Sequence, residues 1–151
     1  MAGYSGTPLA KKLGIKGGTR LALHEIPPDV KSELRGAIST SLLVKEAPFD
    51  LVVLFVKNVA QLKRLFPRFA ARLNPAGILW VAWPKKTSGV KTDIDWNTVH
   101  FFGLEKGLVD VKVCAVSEIW SGLKFVIRLK DRPKMTVTRS KAVGRQNLNL
   151  P

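Results

Sequence analysis

Few residues in this chain could do covalent chemistry, and most lack the neighbours that chemistry needs. Ser121 stands in Trp120-Ser121-Gly122, but a nucleophile elbow requires G-x-S-x-G and residue 119 is Ile. The segment reads as a hairpin turn. Cys114, the single cysteine, lies in the apolar run Val111–Val116. It reads as core filler, because a thiolate nucleophile needs a basic, accessible setting. His24 and His100 have no metal spacing, and one cysteine cannot complete a zinc site, so no metal is expected. No Walker-type phosphate loop occurs. Glu25 and Glu118 fall near strand ends and read as solvated or salt-bridged carboxylates rather than an acid–base pair. The chain reads as non-catalytic.

What the residues can do is bind anions. Lys57, Asn58, Trp83, Lys85, Lys86, Ser88, Trp120 and Ser121 all fall at the ends of apolar runs. Lysines beside aromatic faces can grip a phosphate or nucleotide by charge and stacking. The plainer alternative is that Trp83 and Trp120 pack over a sheet and the lysines are solvated. Lys63, Arg64, Arg68 and Arg72 share one face of an amphipathic stretch. That face is either a solubilising surface or a stripe for the phosphate backbone of nucleic acid.

These residues depend on a particular set of elements. Pro8–Leu13 reads as a short helix capped by Thr7 and ended at Gly14. Gly17-Gly18 is a turn, and Thr19–Ile26 a first strand stopped by Pro27-Pro28. Asp29 caps a helix running to about Gly36, and Ser39–Lys45 reads as a short strand. Leu51–Val56 is apolar on both faces, as in a buried parallel sheet. Leu62, Leu65, Phe66, Phe69, Ala70 and Leu73 repeat at helical spacing, with Pro67 expected to kink or split that helix. Asn74-Pro75-Ala76-Gly77 reads as the turn that ends it, with Gly77 at positive φ. Ile78–Trp83 is a further buried strand, and Pro84–Val90 a loop. Asp93 or Asp95 caps a helix through Trp96, Val99 and Phe102. Val109–Val116 and Leu123–Lys130 form a closing hairpin. Strand–helix alternation of this kind gives an α/β fold: a mostly parallel open sheet, helices on both faces, and an antiparallel C-terminal hairpin.

The chain has 151 residues, 46% of them hydrophobic, and one cysteine. Collagen, disulfide scaffolds and wholly disordered chains are excluded. The expected organisation is a single α/β domain over residues 1–131 and a basic tail over 132–151. The net charge of +14 is uneven. Lys11, Lys12, Lys16 and Arg20 at one end, and Arg132, Lys134, Arg139, Lys141 and Arg145 at the other, have no acid among them. The central body is only mildly basic, which weakens the case for a large nucleic-acid surface. Met1–Lys11 has no apolar signal region, and Leu51–Val56 is far short of the ~20 residues a membrane span needs. A soluble, cytoplasmic protein with no membrane partner is expected.

Residues 50–130 resemble the second half of a class I methyltransferase (Rossmann-like) fold. The resemblance is carried by Asp50-Leu-Val-Val-Leu-Phe, Leu73-Asn-Pro-Ala-Gly-Ile-Leu-Trp, Gly107-Leu-Val-Asp-Val-Lys-Val and Leu123-Lys-Phe-Val-Ile-Arg-Leu. It implies that these match the fourth strand, the turn into the fifth, the sixth, and the antiparallel seventh. Separately, Gly3-Tyr-Ser-Gly-Thr-Pro-Leu-Ala-Lys-Lys-Leu-Gly-Ile-Lys, Trp83-Pro-Lys-Lys and Ile119-Trp-Ser-Gly-Leu-Lys-Phe-Val resemble an uncharacterised bacterial family, over residues 3–131. That likeness implies no activity.

The departures bear on function. A methyltransferase of this class keeps a Gly-rich turn after its first strand, where backbone approaches the cofactor. Here the strand ends His24-Glu25-Ile26-Pro27-Pro28. Residues 27–49 are too few for the two helix–strand units the family would have there, and Glu46 is the only acid placed to hold a ribose. The expected fold is therefore a truncated methyltransferase, without S-adenosylmethionine or dinucleotide cofactors. The best reading is a binding or regulatory module whose partner is an anionic small molecule or a protein. The alternatives are a nucleic-acid accessory protein using its basic ends, and an enzyme acting on a phosphorylated or nucleotide substrate at the lysine-rich edge.

Overall fold

The computed structural model describes residues 8–132. Its strands are β1 (Arg20–His24), β2 (Leu42–Leu43), β3 (Phe49–Phe55), β4 (Leu73–Pro84), β5 (Leu108–Ala115) and β6 (Trp120–Ile127). They form one sheet in the order β2-β1-β3-β4-β6-β5. The first four are parallel, and β6 runs antiparallel between β4 and β5. This is the mostly parallel sheet with a closing hairpin that the alternation predicts. Among the described residues, no helix is long and apolar enough to cross a membrane. The basic tail beyond residue 132 and the Thr7 cap lie outside the described residues.

Both faces of the sheet are covered. Helices α1 (Leu9–Leu13), α2 (Pro28–Glu33) and α3 (Arg35–Thr40) pack on one face, through Leu9, Leu13, Val30, Leu34 at the α2–α3 junction, and the partly buried Ala37 and Ile38. Helices α4 (Val59–Ala70) and α5 (Trp96–Glu105) pack on the other, through Leu62, Leu65, Phe66 and Val99. Alternate residues of β3 feed the two cores: Val52 and Leu54 one, Leu51, Val53 and Phe55 the other. That is why this strand reads as a continuous apolar run. Trp80 of β4 is fully buried, and its indole N–H donates to the Leu13 carbonyl at 2.9 Å. The bond satisfies the only polar atom of the largest core side chain and ties α1 to the sheet.

The helix caps divide the two candidate acids. Asp95 accepts the Thr98 N–H and caps α5. Asp93 reaches across to α4 and accepts the Val59 N–H at 2.8 Å. Helix α4 is also capped by Asn58, whose side chain accepts the Gln61 N–H, and it runs unbroken through Pro67. Pro67 therefore does not split it.

Five expectations are corrected. Ser39 and Thr40 belong to α3, which leaves β2 only two residues. Leu73 is the first residue of β4, not the end of α4. Asn74-Pro75-Ala76-Gly77 is an insertion within that strand: Phe49 pairs with Leu73, but Leu51 pairs with Ile78. The turn chemistry is real, but it loops out of a ladder that continues on both sides. Gly77 has no positive φ. It is glycine because a Cβ there would lie 2.9 Å from the Asn74 carbonyl and 3.0 Å from that of Phe49. Lastly, Trp120-Ser121-Gly122 begins β6, and the turn lies before it, where the Ser117 hydroxyl accepts the Ile119 and Trp120 N–H groups.

Two stability predictions come from this packing. Gly77→Val must displace backbone, and Gly103→Ala would place a Cβ 2.0 Å from the Phe125 ring under α5. Each should cost about 1–3 kcal/mol and lower Tm by several degrees; an unchanged thermal midpoint for either refutes the close approach described. The Asp95 carboxyl is held below its usual range, first by the Thr98 N–H and then by the Thr98 hydroxyl. A depressed carboxylate stabilises fully above its ordinary pKa, and that contribution is lost as pH falls through the lowered value. Asp95→Asn should keep the cap while flattening the stability–pH curve below pH ~4. Identical acid limbs in the two proteins would contradict this.

Candidate functional site

The parallel strands β1 and β3 end close together, and a hollow of about 340 Å³ opens there. It is lined by Glu25, Ile26, Pro27, Pro28, Phe55, Lys57, Gln61 and Trp120. Pro27 stands at the N-cap of α2 and Pro28 is its first residue, so Asp29 lies in the first turn and does not cap the helix as expected. Neither proline has a backbone N–H, so the donors that a helix start offers an anion are reduced. Glu25 is exposed and holds φ +56°, the one non-glycine residue at positive φ among those described. The Lys57 N–H donates to the Gln61 amide oxygen at 2.7 Å.

The eight residues expected to form one anion site are dispersed. Lys57 and Trp120 share the hollow, while Asn58 is occupied as the α4 cap. Lys85, Lys86 and Ser88 lie at and in a 3-10 turn after β4. The Ser88 hydroxyl donates to the Lys85 carbonyl at 2.6 Å and accepts the Val90 N–H. Ser121 sits in the ladder opposite Trp83. The tryptophan platform does not form. Trp83 and Trp120 are 5% and 6% exposed and belong to the cores on opposite faces of the sheet. Trp120 makes an edge-to-face contact with Phe55 at 5.1 Å. These two rings are walls of the fold.

The basic helix face divides as well. Lys63, Arg64, Arg68 and Arg72 are all exposed. Arg68 and Arg72 line a second hollow, of about 420 Å³, that Lys63 and Arg64 do not reach. Its other lining residues are His24, Lys45, Glu46, Ala47, Phe49, Leu65 and Phe69. His24 and Glu25, neighbours in sequence, line different hollows. Sequence reasoning missed Lys45, because nothing local brings the β2–β3 loop beside α4. Arg20 does this: its guanidinium donates to the carbonyls of Pro48 (2.7 Å) and Glu46 (3.2 Å).

The remaining groups do not assemble a reaction centre. Cys114 is half-buried; burial pushes its thiol pKa up, against a weaker pull from Lys12 and Lys112. His100 pairs with Asp110 at 2.8 Å under a stacked Trp96 ring. Glu118 is exposed and does not line the hollow that Glu25 lines. Among the described residues, no three His, Cys, Asp or Glu side chains come together to hold a metal ion.

No protein-family model matches the chain, so its likeness to an uncharacterised bacterial family has no counterpart there. No curated protein matches it either. Solved structures do. A SAM-dependent methyltransferase from Aquifex aeolicus has a TM-score of 0.50 at 13% identity, covering 80% of this chain and 88% of that one. A ribosomal protein L11 methylase from Lactobacillus delbrueckii subsp. bulgaricus has a TM-score of 0.48 at 13% identity, covering 80% and 75%. The Methanococcus jannaschii fibrillarin pre-rRNA processing protein has 0.47 at 12%, covering 79% and 73%. At these identities the likeness is one of fold: the chain has a methyltransferase-like α/β fold.

Because Lys86 is exposed and Lys85 holds its place through its backbone, the variant Lys85→Ala with Lys86→Ala should melt within about 0.5 kcal/mol of the parent. Unfolding of the double variant would mean that the two side chains are structural.

Proposed function

We propose that this chain is a non-catalytic, methyltransferase-like binding module that has no S-adenosylmethionine site and takes an anionic partner. One observation carries the reading: the corner after β1. In open α/β sheets the ligand sits outside the carboxyl ends of the strands, and the turn after the first strand must let it approach bare backbone. Here that turn is Glu25-Ile26-Pro27-Pro28, with a carboxylate at positive φ and two successive residues without N–H groups. The residues present do not fit the cofactor.

The competing readings lose support on particular residues. An enzyme working at the lysine-rich edge needs Trp83 and Trp120 on one binding surface, and they lie on opposite faces of the sheet. A nucleic-acid accessory protein would rest on its basic ends: of these, Lys11 and Lys12 sit on α1 and the Arg20 guanidinium is spent on the Glu46 and Pro48 carbonyls, while residues 133–151 lie outside the described residues.

Calorimetric titration of the full-length chain with S-adenosylmethionine tests the reading. The expected result is no heat beyond dilution and no rise in Tm, since a ligand that binds only the native state must raise it. Saturable binding, or methyl transfer to any acceptor, overturns the proposal.

A further inference from the structure

We infer that the 420 Å³ hollow beside α4 is a binding site for a phosphorylated aromatic small molecule of mononucleotide size. This deepens the reading of the chain as a binding module but uses the opposite face of the sheet from the β1 corner. The hollow arises from what the fold lacks. Only α2, α3 and β2 fit between β1 and β3, and β2 returns to β3 through the loop at 44–48 instead of a helix. On the face of β1 that carries His24, the His24 ring meets Phe69 of α4, and Lys45, Glu46 and Ala47 of that loop line the same hollow.

The lining has two chemistries. Its floor is apolar and aromatic: Phe49 and Leu65 are buried, and Phe69 stands 5.8 Å from the Phe49 ring and 5.7 Å from that of His24. Its rim carries Lys45, Arg68 and Arg72 against a single acid, Glu46. None of the three cations forms an ion pair with a described residue. Arg72 spends one N–H on the Arg68 backbone carbonyl at 2.7 Å, which fixes its guanidinium against the end of α4. Two guanidiniums and an ammonium around one opening suit a phosphate monoester, which arginine binds in a bidentate fork. A bare phosphate would leave the aromatic floor unused, and a neutral aromatic would leave the cations unanswered. A flat base joined to a phosphate meets both, and the volume lies within the range of small-molecule sites. Glu46 adds an acceptor for a hydroxyl or amine of the ligand.

The test is calorimetric titration of the full-length chain at low salt with AMP, adenosine, inorganic phosphate and a single-stranded oligonucleotide. AMP should bind at least about tenfold more tightly than adenosine or phosphate. Arg68→Gln and Lys45→Gln, both at exposed positions, should each weaken AMP at least about fivefold, while Lys85→Ala with Lys86→Ala leaves it unchanged. If Arg68→Gln lowers Tm, Lys45→Gln on the loop carries the test alone. AMP binding no better than phosphate, equal binding by both glutamine variants, or no AMP binding at all overturns the inference. So does oligonucleotide binding without AMP binding, which would make the rim a backbone-phosphate surface. S-adenosylmethionine is absent from these arms, so failure here leaves the cofactor reading standing, and the reverse.

Discussion

The carboxylate of Asp50 holds the base of the sheet together. One oxygen accepts the Arg20 N–H at 2.9 Å and the other accepts the Asn74 side-chain amide, so a residue of β3 ties the starts of β1 and β4. Both partners then do a second job. Arg20 sends its guanidinium to the carbonyls of Glu46 and Pro48 and fixes the loop that walls the larger hollow. Asn74 opens the insertion that ends at Gly77, where β4 closes so tightly on β3 that no side chain fits. A hydrogen bond to a charged acceptor contributes about 1.5–3 kcal/mol, and its loss would leave a half-buried carboxylate short of donors. The geometry of the α4 face is thus set at the opposite end of the strands from the proline corner.

The same economy explains why a methyltransferase-like sheet would bind elsewhere. Shortening the chain between β1 and β3 removes a helix–strand unit and uncovers one side of β1. The remaining turn, Glu25 to Pro28, lines the strand-end hollow with side chains and prolines. That opening has few backbone donors, while the one beside α4 carries Lys45, Arg68 and Arg72. Both results come from the same few residues.

The parts of the fold that could be read from the chain are those where local pattern and tertiary role coincide. Leu51–Val56 and Ile78–Trp83 are apolar on both faces because helices cover both, and α4 shows its buried stripe through Leu62, Leu65 and Phe66. The misread segments all contain residues whose identity answers to a distant neighbour. Gly122 looks like a turn glycine, but a Cβ there would lie 2.9 Å from Val116 and 3.3 Å from the Trp80 ring, so it is a strand glycine required by packing. In the sequence, Trp83 and Trp120 read as partners on one edge. Pairing of Trp83 with Ser121 puts them a residue out of step and on opposite faces. Arg68 and Arg72 were visible as a helix face, but Lys45 and Glu46 join them only through a loop held by Arg20. A contact between residues so far apart in the chain leaves no trace in local periodicity.

A sheet that takes its ligand on the α4 face, and not at the strand-end corner, should show it in a crystal of the full-length chain soaked with AMP and S-adenosylmethionine together. Density for the nucleotide is expected between Lys45, Arg68 and Phe69, and none against Pro27 and Pro28. Adenosyl cofactor seated at the proline corner, with the α4 hollow empty, would refute this placement.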